Sequence, residues 1–474
     1  MCTRACIVFL ILFIQQATAE SRVWLAGDHH IHSRFSVGWD ESAPPKPIIG
    51  GDAIYPIPTN AEMARKFGLS WMVATDHGGP NHSKVNLEQA YPELLHSRTE
   101  VPEVIQFFGL ELNTPGADHS SIIVPHSHDE AEHLHAYESR FDAREAWPLD
   151  EARDQEPRML EALKFADQME KKPVVIAHHP SRSASESGVY GKTTPAELRA
   201  WNDTAPEVAV GMEGAPGHQA ASIRVPKADE FQYPDWVYAR GAYGRGYPTM
   251  GGFDQMTAIV GGFWDSMLGE GRRWWITANS DSHIHYTEGG IDFWPGEYSK
   301  TYVYAGKSAD DILDGLRNGR VFVVTGDLID ELYLEVSSES EVANMGGELT
   351  VKPGDEITIT VKVRDPGEPN VSNKQSEVSR VDLIAGSLTG RSEDQTRDKN
   401  ETTHVVKRFT ASQWSEDQNV LTMQHKMVVD GPMYVRIRGT NTQQAEPEPD
   451  RGREDPWTDL WFYSNPVFVS TRER

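Results

Sequence analysis

Between residues 23 and 324, apolar residues recur in short unbroken runs, each followed by polar or charged positions. The runs at 23–26, 69–74, 104–110, 120–124, 173–177, 208–212 and 274–278 are too short for buried helices and read as buried strands. Helical stretches are expected near 60–68, 156–171, 252–268 and 309–317. Thr59 or Asn60 is expected to cap the first of these, and Gly68 to end it. Strand runs alternating with helices predict an α/β fold with a mainly parallel sheet or barrel. In such folds the loops at the carboxyl ends of the strands build the site. Runs at 302–305 and 321–324 close this region near residue 330.

Beyond residue 330 the pattern changes. Segments 332–336, 357–363, 381–384, 420–423 and 433–437 alternate apolar and polar residues between Gly, Pro, Asn and Asp turns. This predicts an antiparallel β-sandwich over 331–474. Segments 391–402 and 443–455 are charged and unpatterned, and read as exposed loops. The tail carrying Trp457, Trp461, Phe462 and Phe468 is too apolar to lie exposed.

Composition narrows the choice. With 71 acidic and 45 basic residues the formal charge is −26, and no Lys/Arg-rich run is present, which argues against nucleic acid as a partner. Residues 5–14 form a short apolar core after Arg4, followed by Ala17-Thr18-Ala19. This reads as a signal peptide over 1–19, with cleavage before Glu20 and a secreted or periplasmic product. Both cysteines, Cys2 and Cys6, lie in that leader, so the mature chain is expected to hold no disulfide or thiolate site. No later stretch is apolar for long enough to be a membrane anchor.

The candidate chemistry sits at the strand ends. His30 and His32 are two apart and leave their strand on one side, where both can reach one metal ion. Further His and acidic residues follow other strands: Asp76-His77, Glu111, His119, His178-His179, Glu213, Asp281 and His283. Of the 18 histidines, only His404 and His425 come after residue 330, which places the chemistry in the first region. No Gly-x-Ser-x-Gly elbow competes as a nucleophile. Asp28 and Asp76 are expected to orient imidazoles, and His29 and His178 to point away by strand alternation. The pairs His126/His128 and His133/His135 read as surface residues. Arg34, Arg182 and Lys192 lie near motif loops, where they could meet an anionic substrate.

Together, Asp28-x-His30-x-His32, Thr75-Asp76-His77, Gly109-Leu110-Glu111, His119, His179-Pro180 and Ser280-Asp281-x-His283 resemble the polymerase and histidinol phosphatase (PHP) family over residues 23–325. The resemblance implies a distorted seven-stranded β/α barrel holding two or three divalent ions, Mn, Fe or Zn. By position it implies His30, His32, Glu111 and Asp281 at a first ion, with Glu111 bridging to a second held by His119 and His179. His77 and His283 match a third site. The family carries an acid in a Ser-Asp-Gly-like turn after His-x-His. Here Ser36-Val37-Gly38 has Val in that place, and Asp40 is the expected substitute. Two ions roughly 3.5–4 Å apart can share a hydroxide of lowered pKa. Catalysis is assigned to Glu111, Asp281 and His283. The implied activity is hydrolysis of a small-molecule ester, first a phosphoester, with nucleotides among the candidates. Residues 319–326 and 464–469, with the leader, resemble the carbamate-hydrolysing branch, so carbamate or carboxylic ester hydrolysis is the alternative. A non-catalytic surface or glycan-binding module is the third reading.

Overall fold

The computed structural model describes residues 21–40, 42, 45–217, 243, 247–450 and 455–472; the expected leader lies outside them. The first region is built on strands β1 Val23–Ile31, β2 Trp71–Ala74, β3 Ile105–Asn113, β4 His119–Ile123, β5 Val174–Ala177, β6 Ala209–Pro216, β7 Trp275–Asn279, β8 Ser299–Ala305 and β9 Val321–Thr325. Every expected run forms a strand, and β2, β5, β6, β7 and β9 are buried at every position. Strands covered on both faces need continuous apolar runs.

The sheet is mixed rather than mainly parallel. β1–β2, β2–β3, β5–β6 and β6–β7 pair parallel, whereas β3–β4, β4–β5, β8–β1 and β8–β9 pair antiparallel. Only residues 114–118 separate β3 from β4. That link is too short for a crossover, so the two strands form a hairpin. After β7 the chain returns to β1: Asp281 N–H donates to the His30 carbonyl and His32 N–H to the Ser282 carbonyl, each at 3.0 Å. Gly27 makes room on β1, because a Cβ there would lie 1.9 Å from the Trp71 ring.

The first helix runs Ile57–Lys66, and neither Thr59 nor Asn60 caps it. Its Ile57 N–H instead donates to Glu93 Oε1 at 2.9 Å, and Asn60 is buried with its amide on the His32 carbonyl at 2.8 Å. The expected helix at 252–268 splits into Gln255–Ala258 and Phe263–Gly269, broken at Gly261 with φ +77. Helices Tyr91–Glu100, Glu130–Phe141 and Pro195–Thr204 have no counterpart in the sequence reading. Ala309–Arg317 forms as expected.

The second region adds β10 Glu331–Ser337, β11 Val342–Asn344, β12 Glu348–Val351, β13 Glu356–Arg364, β14 Arg380–Ser387, β15 His404–Phe409, β16 Ser415–Asp417, β17 Val420–Val428, β18 Met433–Thr440, β19 Trp461–Ser464 and β20 Val467–Thr471. Strands β11-β10-β13-β17-β16 make one antiparallel sheet. Burial alternates along β10 and β13, and their inward residues share one apolar cluster with Val381, Leu383, Val435 and Ile437 of the other sheet. That other sheet is not purely antiparallel, since β12 pairs parallel with β20. It also continues the first region's sheet, because β19 pairs with β9.

The two segments read as exposed loops are mostly exposed and form no helix or strand among the described residues, but each is docked. Asn400 is buried, with its amide on the Asp265 carbonyl, and Asp450 accepts the N–H groups of Gly251 and Gly252. Local patterning cannot register such tertiary hydrogen bonds. No helix among the described residues is long and apolar enough to cross a membrane.

Candidate metal centre

The strand ends bring their polar side chains to one place. His30 Nε2 lies 3.0 Å from His32 Nε2, 3.0 Å from Asp281 Oδ1 and 3.1 Å from Glu111 Oε1. His32 Nε2 lies 3.1 Å from Asp281 Oδ1 and 3.5 Å from Glu111 Oε2. The same Oε1 of Glu111 also meets His119 Nδ1 at 2.9 Å, His178 Nδ1 at 2.8 Å and His179 Nε2 at 3.3 Å. His77 Nε2 lies 3.7 Å from Glu111 Oε2. His32, His77 and His283 form a further group, with the His283 ring stacked on His32 at 3.9 Å.

These side chains are held by neighbours that fix their protons. His30 Nδ1 lies 2.7 Å from Glu213 Oε1 and donates its hydrogen there, which leaves Nε2 as the nitrogen turned toward the cluster. The Ser36 hydroxyl donates to Asp76 Oδ1 and accepts the His77 N–H, both at 3.1 Å. It is left to accept from His32 Nδ1 at 2.8 Å, which again turns the Nε2 lone pair inward. Asp28 accepts the N–H groups of His30 and Ser280, at 2.9 and 3.0 Å. Asp28 and Asp76 thus act through backbone and Ser36, and of these three supporting acids it is Glu213 that touches a ring.

Lone pairs and carboxylate oxygens packed this closely require a positive charge among them. Ligands about 2.0–2.1 Å from one ion stand about 2.8–3.0 Å apart in octahedral arrangement and about 3.3–3.4 Å apart in tetrahedral arrangement. The separations of 3.0–3.1 Å among His30, His32 and Asp281, and of 3.1 Å from His30 to Glu111 Oε1, fall within that span. His119 Nδ1 supports the same fit: it is buried close to Glu111, yet makes no hydrogen bond among the described residues. Burial favours the neutral form of both partners, but Asp281, Glu111 and Glu213 hold His30 protonated well above its ordinary range. Burial likewise opposes ionisation of Glu111, yet His119 and His30 hold its carboxyl well below the usual range. A proton on His30 therefore stands where a cation fits. His179 and Asp281 adopt φ of +26 and +50, a sparsely populated backbone region that clusters at functional sites.

Of the expected residues, His30, His32, His77, Glu111, His119, His179, Asp281 and His283 converge. Asp40 does not: it is exposed, and its carboxylate accepts the Ser42 N–H at 2.9 Å. Asp52 takes the expected place, 3.0 Å from His77 Nε2 and 3.4 Å from His283 Nε2. It is carried by the segment that follows a short hairpin of Gly38–Asp40 and Lys46–Ile48, where no strand-end pattern marks it. His178 joins the cluster instead of pointing away, while His29 bonds Ser121 and Thr277. His126, His128, His133 and His135 belong to no such group among the described residues. Arg34 pairs with Glu93 beside the first helix, and Lys192 is exposed. Arg182 pairs with Asp118, whose Oδ1 lies 3.9 Å from His179 Nδ1. The interior members are fully buried, whereas the side chains of His77, His119, His283 and Asp52 are 18, 13, 20 and 38% exposed and form the accessible rim. No protein-family model and no curated protein matches the chain.

Proposed function

We propose that the chain is an exported metal-dependent hydrolase of the PHP type, acting on a small-molecule phosphate ester. One observation carries this reading: Glu111 is shared, its Oε1 facing His30, His119 and His179 and its Oε2 facing His32 and His77. A carboxylate so placed suits two ions. The return of the chain from β7 to β1 through Asp281 and Ser282 supports the closed seven-stranded barrel of that family. His30, His32, Asp281 and Glu111 would hold one divalent ion, and Glu111, His119 and His179 a second. His77, His283 and Asp52 would hold a third, each Mn, Fe or Zn. Such ions, when bound, acidify water and neutralise charge that develops on the reacting ester.

The chain's own residues supply the rest. Glu213, Ser36 and Asp76 keep the imidazole lone pairs aimed inward. Asp281, Glu111 and His283 border the place where the ester is attacked. Asp118 uses two of the five N–H donors of Arg182, and the remaining donors suit a phosphate oxygen by charge-assisted bonds. Arg182 is the feature that favours a phosphate ester over a neutral carbamate. The test is a hydrolysis screen of phosphomonoesters, phosphodiesters, carbamates and carboxylic esters with Mn, Fe and Zn supplied separately. Phosphate esters are expected to be turned over best. Catalytic efficiency about tenfold higher on carbamates would reverse the substrate order. No turnover of any ester by metal-loaded protein would favour a binding module.

A further inference from the structure

We propose that His178 is a positioning residue that donates Nδ1–H to Glu111, and that Ser121, His29 and Thr277 hold it in that tautomer. The inference rests on the metallohydrolase reading of Glu111, and it separates His178 from its neighbour His179, which faces the same oxygen.

Four contacts form one line through the interior. His29 Nε2 lies 2.8 Å from Thr277 Oγ1, and His29 Nδ1 lies 2.9 Å from Ser121 Oγ. Ser121 Oγ is hydrogen-bonded to His178 Nε2, and His178 Nδ1 lies 2.8 Å from Glu111 Oε1. Each hydroxyl gives one hydrogen, and each neutral imidazole gives one and accepts one. The line therefore has two consistent senses. In the first, Thr277 O–H donates to His29 Nε2, His29 Nδ1–H to Ser121, Ser121 O–H to His178 Nε2, and His178 Nδ1–H to Glu111. In the reverse sense His178 turns a bare lone pair onto a carboxylate oxygen at 2.8 Å. A carboxylate only accepts, so it selects the first sense.

The competing acceptors are longer: the His29 carbonyl is 3.1 Å from Ser121 Oγ, the Met212 carbonyl 3.4 Å from Thr277 Oγ1, and Glu213 Oε1 3.6 Å from His178 Nε2, beyond hydrogen-bond distance. His178 cannot turn to escape, because it is fully buried and stacked on the His30 ring at 3.5 Å. His179 differs on each point. Its Nε2 is farther from Glu111, at 3.3 Å, its Nδ1 has no hydrogen-bond partner among the described residues, and its backbone lies at φ +26. The strained backbone aims His179 as a ligand, while the unstrained His178 fixes the carboxylate that the ligands share.

Neutron diffraction from metal-free crystals of the full chain reads the tautomer directly. Deuterium on His178 Nδ1 and on Ser121 Oγ toward His178 is the expected result; deuterium on His178 Nε2 overturns the proposal. A second measurement uses Mn(II) binding. His178→Asn, whose amide N–H can stand near the Nδ1 position, should keep the wild-type number of ions. His178→Ala should keep that number with affinity about 10- to 100-fold weaker, the range for loss of a residue that orients a ligand. Loss of one bound ion from both variants would make His178 a ligand and overturn the proposal. A wild-type chain that binds no Mn(II) would remove the metallohydrolase reading, and the neutron result would still decide the tautomer.

Discussion

Asp52 Oδ2 stands 3.0 Å from His77 Nε2, and the same oxygen is buried without a hydrogen bond among the described residues. It also lies 3.4 Å from His283 Nε2, and an acid oxygen that faces two imidazole nitrogens is placed for a cation. Asp52→Asn is expected to lower metal content by one ion while the other ions remain. Asp40→Asn, at an exposed position, should leave metal content unchanged. Elemental analysis of both variants checks this; the opposite pattern would return Asp40 to the site.

Glu111→Gln and Asp281→Asn should each lower kcat/KM by about 100-fold or more while the fold is kept, the scale for losing a group that stabilises developing charge. Asp281 has φ +50, which asparagine tolerates well, so this variant removes charge without adding backbone strain. Thermal melts alongside kinetics separate the two effects. Near-normal turnover with normal metal content would make both residues structural.

His82 supplies a pH test away from the ligands. Its two ring nitrogens face Glu138 Oε1 and the Phe35 carbonyl, both acceptors. Burial lowers its pKa, but the Glu138 charge and these hydrogen bonds outweigh it and raise the group to about 9 from 6.5. The folded state therefore binds the proton more tightly than the unfolded chain. The stabilisation is fully present below pH 6.5 and is lost as pH rises through 9. The stability gap between wild type and His82→Gln, read by urea unfolding, should shrink over that window. A gap that widens with pH would contradict the assignment.

The two regions are predicted to fold as one. Asp265 on the helix Phe263–Gly269 and Arg436 on β18 are both fully buried and joined by two hydrogen bonds of 2.8 and 2.7 Å. Asp265→Ala strands a buried guanidinium and should cost about 3–5 kcal/mol in denaturant unfolding. Ending the chain after Asp330 also removes β19 from β9 and exposes Phe322 and Val324, which share a cluster with the sandwich. That product should be insoluble. A soluble and fully active fragment would make the second region an independent module.

The sequence shows the site wherever it depends on strand ends. His30, His32, Glu111 and Asp281 follow apolar runs, and each run forms a strand. Alternation failed for His178 because β5 ends at Ala177, and beyond it His179 turns to positive φ. No pattern marks Asp52 for a related reason: it lies in a non-repetitive segment, and the tertiary fold brings it to His77. Asn60 reads as a helix cap from sequence, but its side chain supports the His32 carbonyl instead. The mixed pairing of the sheet followed from a short link between β3 and β4, which apolar runs alone do not weigh.

The most direct test of the central claim is the metal content of the full chain purified without chelators and analysed for Mn, Fe and Zn. If Glu111 bridges two ions as proposed, at least two ions per chain are expected, falling when Glu111 is replaced by Gln. One ion or fewer per chain under every loading condition would contradict the account.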